Sequence, residues 1–224
     1  MHFEILIEDA SGKVLLEVLL PKIINNEYSR HTWRIINYKG VGRIPSNLHR
    51  SPDATNRFLL DQLPRLLRGY GKTYPEGAHD TAVIVVLDCD RKDCRILLSE
   101  MMAILNKCAP KPNILFRIAI EECEAWILGD RNAVKTAYPK ANNQALNGYV
   151  QDSICGTWEI LADAIFLGGS AILSKKPFFE IGKIKCEWAK QIGPFIDVEE
   201  NLSTSFCKFR DGVRRLITEQ NRQS

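Results

Sequence analysis

The chain has 224 residues, 45% of them hydrophobic and 25% charged, with a net charge of +3. That supplies enough apolar material for a substantial core. MHFEILIED lacks the basic and long apolar regions of a signal peptide, and the longest aliphatic run, AVIVVL, is too short to cross a bilayer, so secretory and membrane-spanning classes are excluded and a soluble cytoplasmic protein is expected.

FEILIE (3–8) reads as a short strand ending in an acid, and SGKVLLEVLLPKII (11–24) as a helix buried on most of its surface. TWRIINYKG (32–40) reads as a second strand and GVGRIPSN as a connecting loop. Residues 54–69 have helical spacing with a disturbance expected at Pro64. TAVIVVLD (81–88) is β-branched and uniformly apolar, as a strand covered on both faces should be. From Asp93 a helix is expected, with Cys94, Leu97, Leu98, Met101, Met102, Leu105 and Cys108 recurring at three- and four-residue steps. ILFRIAI (114–120) is a fourth strand, and a helix starts in EECEAWILGD (121–130).

This alternation predicts an α/β fold, a mostly parallel sheet with helices on both faces, over residues 1–138. Residues 139–224 carry no convincing strand, and helices are expected near 157–166, 183–192 and 203–219. In the last of these Phe206, Phe209, Val213 and Leu216 form one stripe, with Ser203 or Ser205 as its cap. The C-terminal region should therefore pack on the core as a helical addition. Seven cysteines, an odd number without a CxxC pair, fit neither a disulfide framework nor a structural zinc site; most should be small buried hydrophobes.

In an open α/β sheet the site lies beyond the carboxyl ends of the strands. Three such ends carry acids: Glu8; Asp88 and Asp90; and Glu121, Glu122 and Glu124. So many carboxylates at one edge call for a cation, and hard oxygen ligands without a well-placed His or Cys indicate Mg²⁺ or Mn²⁺. Taken singly, any of these acids reads as a helix cap, and Asp90 and Asp93 fit that description well. Basic residues concentrate in two flanking segments. Residues 27–72 hold nine Lys or Arg against three acids, and residues 203–224 hold five against two. Basic flanks around an acidic centre suit an anionic polymer held over a metal, although solvated helix faces give the same pattern. Lys13 at a helix start, and Lys39 and Arg43 in the glycine-rich loop, are the candidate nucleic-acid contacts. SGK is not a Walker loop, since Ile7 stands where a Gly is needed. The four histidines are scattered, and no lysine or histidine stands out as a catalyst.

The Glu in IEDASGK followed by the DxD in VVLDCD resembles the TOPRIM domain of topoisomerases, primases and related nucleases. More closely, the chain is similar to the bacterial DUF4276 family of TOPRIM-like proteins. The resemblance rests on Glu8 with Ser11; on Asp88, Asp90, Asp93 and Cys94; on Glu122, Glu124, Ala125 and Trp126; and on Ser205-Phe206, spanning about residues 2–217. It implies a metal-dependent nuclease hydrolysing phosphodiester bonds in DNA or RNA, with Glu8, Asp88 and Asp90 as metal ligands and Glu122 or Glu124 completing the site. It further implies an ATPase partner in anti-phage defence. Where TOPRIM domains have Gly after the first Glu, this chain has Asp9, which adds charge and should cost backbone freedom at that turn. The alternative is a non-catalytic subunit that binds a partner or nucleotide and uses the acids structurally. A homo-oligomer is compatible with either.

Overall fold

A computed structural model describes residues 1–25, 31–45, 47, 55, 57–78, 80–153 and 156–222. Among the basic residues, histidines and cysteines counted above, Arg30, Arg50, His49, His79 and Cys155 lie outside these. The α/β expectation holds. The elements run β1 (His2–Ile7), α1 (Ala10–Ile24), β2 (Thr32–Asn37), α2 (Leu59–Thr73), β3 (Thr81–Asp88), α3 (Cys94–Leu105), β4 (Ile114–Ala119), α4 (Glu124–Leu128), α5 (Arg131–Ala137), α6 (Asn143–Gly148), α7 (Thr157–Ile165), α8 (Gly169–Leu173), α9 (Phe178–Ile192) and α10 (Thr204–Asn221).

The four strands form one all-parallel sheet in the order β2-β1-β3-β4. β3 is buried at every position, as its unbroken β-branched run requires. One face of the sheet packs on α2 and α3 through Leu63, Leu67, Met101 and Phe116. The other packs on α1 and on the C-terminal helices, where Leu161, Trp188 and Phe206 share a cluster with Phe3 and Leu16. Among the described residues no helix is long and apolar enough to cross a membrane.

Several expectations need correction. α2 starts at Leu59, not at 54, and runs through Pro64 to Thr73 as one helix, although the ring removes an intrahelical bond. In α3, Leu98 and Met102 are each 40% exposed, so the apolar stripe read from the sequence is wider than the buried face. Residues 121–123 form a turn, with Glu121 at φ 60°, before the short helix α4. The segments holding α5, α6 and α8 gave no helical signal, being too short to show a period.

Ser203 caps α10, accepting the Phe206 amide, while Ser205 has another task. Its hydroxyl takes the Trp126 indole N–H at 2.9 Å and the Ile120 amide at 3.3 Å, joining α4, β4 and α10. Trp126 is fully buried against Phe206 and Phe209. Ser205→Ala strands that indole N–H in the core, an expected cost of about 1–3 kcal/mol. A urea midpoint equal to that of the unaltered chain would show that the bond contributes nothing.

Candidate functional site

The carboxyl ends of β1 and β3 lie side by side, so the first acids beyond them meet. The Asp88 amide donates to Glu8 Oε2 at 3.2 Å, fixing the Glu8 carboxylate across the strand pair. The glycine-rich loop after β2, read as a plain connection, completes this seat. The Gly40 amide donates to the Glu8 carbonyl at 3.1 Å, and the Val41 amide next to it lowers the proton affinity of the carboxylate. Burial, reinforced by Asp90 and Asp9 and opposed by the Asp88 amide, pushes Glu8 up to about 7. Asp88 is buried, and burial together with Glu8, Asp9 and Glu124 raises it well above the usual carboxylate range. Its Oδ1 accepts the Cys123 thiol at 3.4 Å. Neither Glu8 nor Asp88 has a Lys or Arg within ion-pair distance among the described residues.

Asp90 occupies the left-handed region, at φ 48°, with its amide on the Glu121 carbonyl at 3.0 Å. It is not a helix cap; Asp93 fills that role, accepting the Arg95 and Ile96 amides. Burial raises Asp90 too, with Lys92 opposing and Glu121 adding. Between the two aspartates, Cys89 turns its sulfur away to Cys94 Sγ at 2.7 Å and the Lys92 carbonyl at 2.9 Å.

Asp9 is extended, at φ −134° and ψ 176°, so the backbone freedom of a glycine is not needed there. Its carboxylate caps α1 through the Gly12 amide at 2.8 Å and takes the Ser11 hydroxyl at 2.6 Å. Gly12 is required for close approach instead: a Cβ would lie 2.7 Å from Ile7 Cδ1 and 2.9 Å from Asp9 Oδ1.

The β4 end contributes a separate group. Glu121 leaves the cluster to cap α7, accepting the Thr157 and Gly156 amides. Glu122 and Glu124 face Lys185 of α9, at 2.8 and 3.1 Å from its Nζ. The Lys185 side chain is 13% exposed. Burial works against its charge, yet Glu124 and Glu122 hold it well above the ordinary lysine value. Burial and the adjacent Glu124 push Glu122 up to about 8 despite Lys185. Sequence reasoning missed this lysine. The signal was its helical phase: Lys185 lies three, four and seven residues before Trp188, Ala189 and Ile192, the buried face of α9.

Of the predicted phosphate contacts, Lys13 lies in the first turn of α1, and Lys39 and Arg43 lie in the loop whose Gly40 amide holds Glu8. Lys13 pairs with Glu17 at 3.7 Å on the exposed side of α1. The Lys39 and Arg43 amides are held by the Arg57 carbonyl and the Asp61 carboxylate in the loop over β2. As for a cation, the donor set is all carboxylate oxygen, which Mg²⁺ and Mn²⁺ prefer. Among the described residues no three His, Cys, Asp or Glu side chains converge as a ligand set. The fit is therefore one of donor type and charge, without a preformed shell.

Family models, curated proteins and solved structures yield no match to this chain.

Proposed function

We propose that the chain is a divalent-cation-dependent hydrolase of phosphodiester bonds in nucleic acid, with Glu8, Asp88 and Asp90 as the carboxylates that take the cation. One observation carries this reading. Glu8 and Asp88 are brought together at neighbouring strand ends with raised proton affinity and without a Lys or Arg ion pair among the described residues. Carboxylates in that condition bind a proton at neutral pH or exchange it for a cation. Glu122 and Glu124 already face Lys185, so the ligand set narrows to the β1 and β3 ends.

When bound, Mg²⁺ or Mn²⁺ would neutralise the phosphate and acidify a water. The remaining chemistry belongs to the chain. Where Asp88 and Asp90 alone hold the cation, Glu8, fixed by the Asp88 amide, instead accepts the proton of the attacking water on its carboxylate. The Glu122–Lys185–Glu124 group ties α9 to the segment after β4, beside the site. The resemblance to DUF4276 proteins supports the wider assignment, an effector working beside an ATPase in antiviral defence.

A second reading, a non-catalytic subunit with structural acids, is favoured by the lack of a preformed ligand set among the described residues. A melting series with Mg²⁺ and Mn²⁺ separates the two. The unaltered chain should be stabilised by metal, and Asp88→Asn with Asp90→Asn should remove that response. Stabilisation that survives both substitutions rules out this ligand set. Incubation with plasmid, single-stranded DNA and tRNA should give metal-dependent cleavage that Glu8→Gln abolishes. Intact substrates with either metal, with and without an ATPase partner, would leave the second reading.

A further inference from the structure

A groove of about 730 Å³ runs along the outer edge of β4 between α3 and α10, within the size range of ligand sites. Leu98, Phe116, Ile118 and Ile120 give it apolar lining, and Arg95, Arg117, Lys208 and Arg215 surround it with positive charge. Its two acids are already engaged. Asp152 accepts the Ser203 hydroxyl and the Ser205 amide, and Asp211 takes Arg210 Nε at 2.8 Å.

The cations of α10 divide by direction. Arg210 and Arg214 are occupied by Glu199 and by the Val198 and Ile23 carbonyls. Lys208, like Arg95 and Arg117 from the other walls, has no ion-pair partner among the described residues. Arg215 has a long, exposed contact to Glu219 at 3.7 Å, a pairing of little strength.

Arg117 is the built element. Its Nε and Nη1 donate to the Lys208 and Phe116 carbonyls, both at 2.8 Å, which fixes the guanidinium without neutralising it. Burial, with Arg215 beside it, disfavours its charge. α10 makes room with Gly212, where a Cβ would lie 2.3 Å from Arg117 Nη2. A glycine inside a helix costs about 1 kcal/mol relative to alanine, and here it lets the arginine dock.

The groove also leads to the acids. Ile120, at its end, precedes Glu121, whose carbonyl holds the Asp90 amide, and Cys94 and Arg95 open the helix that follows the DxD.

We propose that this groove binds the sugar-phosphate backbone of a single nucleic-acid strand, with Arg117, Lys208 and Arg215 on the phosphates and the apolar lining against sugars and bases. The direction in which the strand leads, toward Asp90, rests on the hydrolase reading. A flexible strand can bring a phosphate down to a recessed guanidinium. A rigid duplex, with its phosphates on a convex cylinder, cannot.

Fluorescence anisotropy with a labelled single strand of about 12 nucleotides, a length typical of single-strand sites, tests this in EDTA, where metal-dependent cleavage is off. Lys208→Gln with Arg215→Gln should make the salt dependence shallower by about 1.4 logarithmic units per tenfold change in salt. Gly212→Ala should bind about tenfold more weakly through the displaced Arg117. Unchanged strand binding in both variants overturns the proposal. So does equal affinity for a duplex of the same length, or displacement of the strand by polyglutamate at equal charge. Strand binding that responds to these substitutions in a chain that cleaves nothing leaves the groove standing and removes the hydrolase reading alone.

Discussion

Lys185→Met is expected to destabilise the protein by roughly 3–5 kcal/mol, a fall in melting temperature on the order of 6–20 °C. The lysine is nearly buried and lies 2.8 and 3.1 Å from two carboxylates, so its removal leaves their charge in a poorly hydrated place. The loss should be larger at pH 8 than at pH 6. Glu122, at about 8 with Lys185 present, carries its proton more readily at the lower pH and so relieves part of the repulsion. Adding Glu122→Gln and Glu124→Gln should restore most of the stability, because neutral groups of the same shape need no counter-charge. Calorimetry of the single and triple variants decides the matter. A single variant that melts within a degree of the unaltered chain would mean that the pair does not form in solution.

Glu8→Gln should act in the opposite direction, stabilising the metal-free protein at alkaline pH while ending the proposed hydrolysis. An acid whose pKa is higher folded than unfolded binds more protons in the folded state between the two values. For Glu8 these are 4.5 and about 7. Its favourable contribution is therefore complete below pH 4.5 and is lost as the pH rises toward 7, reaching a deficit on the order of 3 kcal/mol. Glutamine carries no such deficit. The two melting curves should nearly coincide around pH 4.5 and separate progressively up to pH 8, with Glu8→Gln the more stable. Added Mn²⁺ should narrow the gap by stabilising only the chain that retains Glu8. Parallel pH profiles would show that Glu8 titrates normally and remove the basis for its role as proton acceptor.

The parts of this molecule that the sequence discloses are those set by neighbours along the chain. The apolar run 81–88 is a central strand buried at every position, Asp93 caps the helix it precedes, and Phe206, Phe209, Val213 and Leu216 are the buried stripe of α10. Glu8 and Asp88 also come together as their positions after parallel strands imply. What stayed hidden is contact between distant segments. Lys185 is separated from Glu122 by 63 residues and carries no motif, so its partner appears only when α9 packs on α1. The Val41 and Gly40 amides leave no trace at all, since every residue but proline carries a backbone donor. Asp9 misled for a different reason. A glycine in related patterns suggests a left-handed turn, whereas this backbone is extended and suits aspartate as a cap.

The Ser205 hydrogen bond has a further consequence, for the timing of folding. The Ala119 and Asn113 carbonyls face β3, so Ile114, Phe116, Ile118 and Ile120 turn their backbone groups toward the open margin of the sheet. Ser205 closes the end of that margin from 85 residues further along the chain. During synthesis β4 therefore emerges well before the helix that covers it, with an edge able to pair with another nascent chain. A ribosome pause between β4 and α10 should prolong that exposure, so the yield of native protein depends on how quickly the C-terminal helices follow.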